Sequence, residues 1–126
     1  MIGEDSATTM DRLLRATINT WHGLCAAAKS EAAFRQELAA LILAVPLAFL
    51  VATETWKRFL LIGVVALILV VELLNTAVEK LADRVSRDID PQIGRVKDMG
   101  SAAVGLALIL AGLAWLFALA ERFGLL

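Results

Sequence analysis

Four residues in the 126-residue chain stand out for their chemistry: Glu72, Asn75, Glu79 and Asp83. Their offsets of three, seven and eleven place them on one helical stripe less than about 90° wide, at ~100° per residue. Glu72 lies inside an otherwise apolar run, Phe59–Val78, about two turns from its end. A carboxylate at membrane depth costs at least ~2.5–3.5 kcal/mol unless it is paired or wetted. Two readings fit it: a catalytic or ion-linked acid, or a neutral acid hydrogen-bonded to Asn75 or another helix as packing glue. Glu79, about 10.5 Å further along the axis, is either a metal or phosphate-side ligand or a solvated helix-end acid beside Lys80 or Arg84. Glu31 and Glu37 bracket the segment just before the first apolar run. If that segment packs on the second run, Glu31 can approach Glu79. Two carboxylates together with phosphate oxygens and water suit Mg²⁺. Lys97-Asp98 precede the third run, where a helix N-terminus would favour a phosphate. The alternatives there are a lysine snorkelling to headgroups and an aspartate acting as N-cap.

The elements that must hold these groups are helices in a membrane. Hydrophobic residues make up 60% of the chain, against about 45–50% in soluble domains, and mean hydropathy is +0.76. The excess is gathered in three runs, Leu38–Thr53 (containing Pro46), Phe59–Val78 and Met99–Ala120. The predicted fold is an all-α membrane protein, one domain over residues 1–126, with spans at about 38–56, 59–83 and 98–120. Residues 10–36 form an amphipathic helix, with Leu13, Leu14, Trp21 and Leu24 near helical spacing. It either lies in the headgroup plane or packs on its neighbours. Residues 1–9 read as a frayed terminus and not as a signal peptide.

Charge sets orientation and excludes other classes. Nine of the twelve Lys and Arg fall before the first span or between the second and third, leaving Lys57, Arg58 and Arg122 opposite. The positive-inside rule then puts the N-terminus and the polar stripe on the cytoplasmic side. A net charge of −1 argues against a general nucleic-acid binder. One cysteine, Cys25, and one histidine, His22, allow neither an internal disulfide nor a zinc constellation.

Three blocks carry a family resemblance: Glu31-Ala-Ala-Phe-Arg-Gln-Glu37, Val71-Glu72-Leu-Leu-Asn75-Thr-Ala-Val-Glu79 with Asp83-Arg84, and Gly94-Arg-Val-Lys-Asp-Met-Gly-Ser-Ala102. Together they resemble the signature blocks of the bacterial integral-membrane diacylglycerol kinases, over roughly Arg12 to Phe123. The resemblance implies a homotrimer of three-span subunits with an amphipathic surface helix in the bacterial inner membrane. It implies phosphorylation of diacylglycerol to phosphatidic acid by ATP with Mg²⁺. It implies Glu72 as general base and Glu31 and Glu79 as metal and nucleotide ligands; in the mechanism that follows from these roles, Asn75 would orient Glu72. It further implies Arg12, Asn19, Asp88, Asp90, Lys97 and Asp98 at the nucleotide. Around the lipid it implies Arg12, Trp21, Arg35, Glu37, Glu72 and Ser101. The chain departs from the family pattern at Asn19, where an aromatic is frequent, at Cys25, where a basic residue is frequent, and in the connection Ser86–Ile93, where Pro91 is expected to break any helix.

A related branch phosphorylates undecaprenol, and a small proton-coupled transporter subunit is the non-enzyme alternative. The kinase reading predicts that the purified protein consumes ATP when lipid alcohol is added, with diacylglycerol preferred to undecaprenol. A transporter subunit would instead show flux driven by a pH gradient and no ATP use.

Overall fold

The computed structural model describes residues 2–126, with side chains from Thr8 onward. Four helices follow one another: α1 (Ile2–Ser30), α2 (Ala32–Val51), α3 (Thr55–Val85) and α4 (Pro91–Arg122). The chain divides into an N-terminal unit up to Arg35 and a second unit from Gln36 to Leu126.

In the first unit, α1 begins at Ile2 rather than near residue 10 and ends at Ser30, not 36. The surrounding bonds keep nearly helical spacing across the joint at Glu31, where its N–H donates to Ala27 O and its carbonyl accepts from Arg35 N. The Arg35 guanidinium donates to the carbonyls of Ala28 and Lys29, so it satisfies acceptors that the end of α1 leaves open. Met10, Leu14, Ile18 and Trp21 recur at helical spacing and are all exposed. Thr17 and Thr20 turn their hydroxyls back onto carbonyls four residues earlier, which removes their polarity from the helix surface.

The second unit is a bundle of α2, α3 and α4, each long and apolar enough to cross a membrane. Its core is built largely from small residues. Ala44 of α2 meets Val64, Val65 and Ile68 of α3 and Ala107 and Ala111 of α4; a second cluster joins Ala48 and Ala52 to Leu61. Helices in lipid gain little from the hydrophobic effect between themselves, so close backbone approach through small side chains carries their packing. Between the two clusters, Trp115 Nε1 donates to Leu61 O over 3.1 Å, giving a half-buried indole its partner. Mutual stitching closes the α2–α3 end. Arg58 Nε donates to Ala52 O (2.8 Å) and its guanidinium stacks over Phe49, while Lys57 pairs with Glu121 of α4.

All three span boundaries differ from the hydropathy pattern. Helix α2 starts six residues before the apolar run, because Ala32–Glu37 are mostly good helix formers. Lys57 and Arg58 lie in the first turn of α3 rather than in the connection, which is only Ala52-Thr53-Glu54. At its other end α3 runs on through Glu79-Lys80-Leu81-Ala82 to Val85. The helix spans roughly 46 Å at 1.5 Å per residue and overruns a hydrocarbon core of ~30 Å.

The largest difference is at α4. Pro91 opens this helix instead of breaking it, because proline lacks the N–H that a first-turn residue would leave unbonded. Asp90 is the N-cap, its carboxylate accepting from Gln92 N and Ile93 N. Lys97 and Asp98 therefore sit in the second turn of α4 or later, and Asp98 is not a cap. The Asp90→Ala variant should lose about 1 kcal/mol of stability, read as a lower midpoint of thermal unfolding in detergent micelles.

Candidate functional site

Midway along α3, the bundle buries polar groups. Glu72, Asn75 and Thr76 are each about 9% exposed, within a helix whose neighbouring buried residues are Leu61, Val64, Val65, Ile68 and Leu69. Because α3 continues to Val85, Glu72 lies thirteen residues from its end, or about 20 Å. One turn past Glu72, the Asn75 amide donates from Nδ2 to Glu79 Oε1 over 3.3 Å. Asn75 is thus oriented toward Glu79. Its Oδ1 is buried without a hydrogen-bond partner and faces Gly100 of α4.

The second acid in this neighbourhood is Glu37. It is half-buried on α2, its Oε2 is buried without a hydrogen-bond partner, and it is near enough to Glu72 for the two carboxylates to repel. Buried polar atoms are nearly always partnered. Two orphaned oxygens from different helices, near one buried carboxylate, mark a polar centre that leaves capacity for an additional donor.

Further along, the stripe becomes exposed. Glu79 and Asp83 face solvent, and Asp83 Oδ1 accepts from Lys97 Nζ over 2.6 Å. This pair joins the ends of α3 and α4 and holds the lysine beside the stripe. The expected phosphate site on a helix N-terminus is not formed at Lys97. The first-turn N–H groups of α4 belong to Gln92, Ile93 and Gly94, and all three are bonded to Asp90.

The remaining predicted residues are distributed as follows. Glu31, half-buried at the joint between α1 and α2, accepts from Ser30 Oγ; it belongs to the N-terminal unit, as do Arg12, Asn19, Trp21 and Arg35. Arg12 lines a shallow groove on α1 with Thr9, Leu13 and Ala16. Asp88 and Ser101 are exposed, and Asp90 is occupied as a cap. A separate cavity of about 370 Å³ opens at the α2–α3 turn, lined by Ala52, Thr53, Lys57 and Glu121. It is displaced along α3 from Glu72 by fifteen residues, about 22 Å.

Glu79 and Glu31 are hard oxygen donors of the kind Mg²⁺ takes. Among the described residues, no three His, Cys, Asp or Glu side chains converge as a metal cage.

Comparison with known proteins decides the class. The family model described as prokaryotic diacylglycerol kinase matches residues 18–119. The chain belongs to the prokaryotic diacylglycerol kinase family. It is 42% identical to a diacylglycerol kinase of Escherichia coli (strain K12) over 120 residues, covering 95% of this chain and 98% of the relative. A diacylglycerol kinase of Pseudomonas aeruginosa is 43% identical over 108 residues, 86% of this chain and 88% of the relative. One from Haemophilus influenzae is 37% identical, with 86% and 92% covered. The protein is therefore a lipid kinase and a multi-pass membrane protein.

Of the residues named from the sequence, Asn75 donates to Glu79 and Glu72 is buried one turn away, whereas Gly100, which meets Asn75 from α4, was not anticipated. Its only signal was a glycine within the Lys97–Ala102 block. The Lys97–Asp83 pair is partly exposed, and such pairs contribute about 0–1 kcal/mol. The Asp83→Asn variant of the kinase should therefore unfold within about 1 kcal/mol of the parent. Its KM for ATP should change more than its KM for lipid, as steady-state kinetics would show.

Proposed function

We propose that this kinase transfers the γ-phosphoryl group of ATP to the free hydroxyl of diacylglycerol, giving phosphatidic acid and ADP. The observation that carries this reading is the buried Glu72 carboxylate within a stripe that leads from membrane depth to the solvent-facing Glu79. Phosphoryl transfer needs mainly positioning and charge neutralisation. A lipid hydroxyl stays at the interface, so the base and the phosphate donor must be brought to it.

Glu72 accepts the hydroxyl proton as that oxygen attacks the γ-phosphorus. The bond from phosphorus to the β,γ-bridging oxygen breaks, and ADP leaves. Burial among apolar side chains keeps bulk water from competing as acceptor. Asn75 orients Glu79, and Glu37 and Ser101 line the approach of the lipid headgroup. Glu79 and Glu31 would hold Mg²⁺, which neutralises phosphate charge when bound. Lys97, kept in place by Asp83, offers its ammonium to a phosphate. Arg12, Asn19, Asp88, Asp90 and Asp98 complete the nucleotide side.

The surroundings follow from the apolar surfaces. The exposed stripe of Met10, Leu14, Ile18 and Trp21 suits a helix lying in the headgroup plane, where Arg12, Trp21 and Arg35 would meet the lipid. The distribution of Lys and Arg supports a cytoplasmic N-terminus in the bacterial inner membrane. Three helices enclose little of the site, and α4 exposes Leu106, Ile109, Leu110, Leu113 and Phe117. A homotrimer would cover part of this surface.

The Glu72→Gln variant should fold and assemble in detergent like the parent, yet lose at least about three orders of magnitude in kcat, within the range general acid–base catalysis supplies. The measurement is phosphatidic acid formed from ATP and diacylglycerol, with undecaprenol as a parallel acceptor. Parent-level activity in that variant would remove Glu72 as the base. Higher turnover on undecaprenol would reassign the acceptor.

A further inference from the structure

Gly100 is the one glycine among those described whose missing side chain is filled by another residue. A Cβ built there would collide with Asn75 Oδ1, and the amide carbon would lie only 3.3 Å away. The other glycines have open space around the same position. Gly100 lies inside α4, not at a turn, and its backbone φ is not positive. Conformational freedom therefore does not explain it. What glycine supplies at position 100 is a hydrogen in place of a Cβ, directed at Asn75 Oδ1.

That oxygen needs a neighbour. Asn75 is more than nine-tenths buried, and its Oδ1 has no conventional hydrogen-bond partner. A Cα–H group facing a carbonyl oxygen makes a weak hydrogen bond that recurs where helices pack closely. With Oδ1 held against Gly100, the amide has one orientation left, in which Nδ2 faces Glu79 Oε1 at 3.3 Å. An alanine at position 100 would displace Oδ1, the end of the Asn75 side chain, and with it the amide that donates to Glu79.

We propose that Gly100 is a positioning residue for phosphoryl transfer: by letting α4 touch the Asn75 amide, it sets the amide's orientation and, through it, the placement of the Glu79 carboxylate. The proposal rests on the reading of Asn75 and Glu79 as site residues. It adds a contact from a different helix, so the site's geometry depends on the separation of α3 and α4.

A double-mutant cycle on the full-length kinase in detergent tests it. Gly100→Ala, Asn75→Ala and the double variant are compared by thermal unfolding, Mg²⁺ dependence and steady-state kinetics. Alanine is intrinsically the better helix former. Gly100→Ala should therefore raise the unfolding midpoint in the Asn75→Ala background and lower it in the parent. In the parent background Gly100→Ala should reduce kcat at least tenfold and raise the Mg²⁺ concentration for half-maximal activity severalfold, with KM for diacylglycerol nearly unchanged. Gly100→Ser should behave like Gly100→Ala, since the first added carbon makes the collision.

Equal changes in midpoint in both backgrounds would overturn the contact. A Gly100→Ala enzyme with parent kcat and parent Mg²⁺ dependence would overturn the positioning role. Full activity in Asn75→Ala would overturn the site reading beneath it, and the unfolding cycle reports on the contact separately.

Discussion

Burying a carboxylate and a carboxamide in an apolar helix bundle is the most demanding feature of this molecule, and the packing around it is arranged accordingly. Glu72 and Asn75 occupy the face of α3 that meets its neighbours, each about 9% exposed. In hydrocarbon such groups have no water to fall back on. Two contacts reach the amide: it donates to Glu79 one turn along α3, and Gly100 of α4 lies against its oxygen, while Glu37 of α2 adds a second, repelling carboxylate near Glu72. The satisfaction is incomplete at Glu37 Oε2 and Asn75 Oδ1.

The rest of the bundle keeps α2, α3 and α4 close enough for this arrangement. Alanines 44, 48, 52, 107 and 111 bring the helices together, while Trp115 and the Arg58 and Lys57 contacts tie the α2–α3 end. Charged groups are thus divided between the two ends. Those at the α2–α3 turn have mainly structural partners. At the other end, Lys97 with Asp83 and Glu79 with Asn75 lie on the continuation of the buried stripe. An enzyme acting on a lipid alcohol with a water-soluble phosphate donor needs this continuity from apolar to aqueous surroundings.

Much of the fold and part of the site were legible in the sequence. Three apolar runs in 126 residues leave few alternatives to three spans, and an isolated acid within the second run marks itself. Helix ends were less legible, because hydropathy reports where lipid contact stops and not where helical hydrogen bonding stops. Glu79–Val85 continue α3 as polar but competent helix formers, and Asp90 with Pro91 start α4 well before its apolar run. The placement of Lys97 changed for the same reason: it lies within a helix that an aspartate already caps, so its role rests on its side chain and not on free backbone N–H groups.

Residue type and spacing along one helix determine which groups share a face, so the order Glu72, Asn75, Glu79, Asp83 was readable from the chain alone. Contacts between helices have no such periodic signature. That Asn75 turns to Glu79, that Glu37 of α2 approaches Glu72, and that Gly100 leaves room for an amide oxygen depend on how far apart α2, α3 and α4 settle. Small-residue packing sets that distance, and only the tertiary structure decided it.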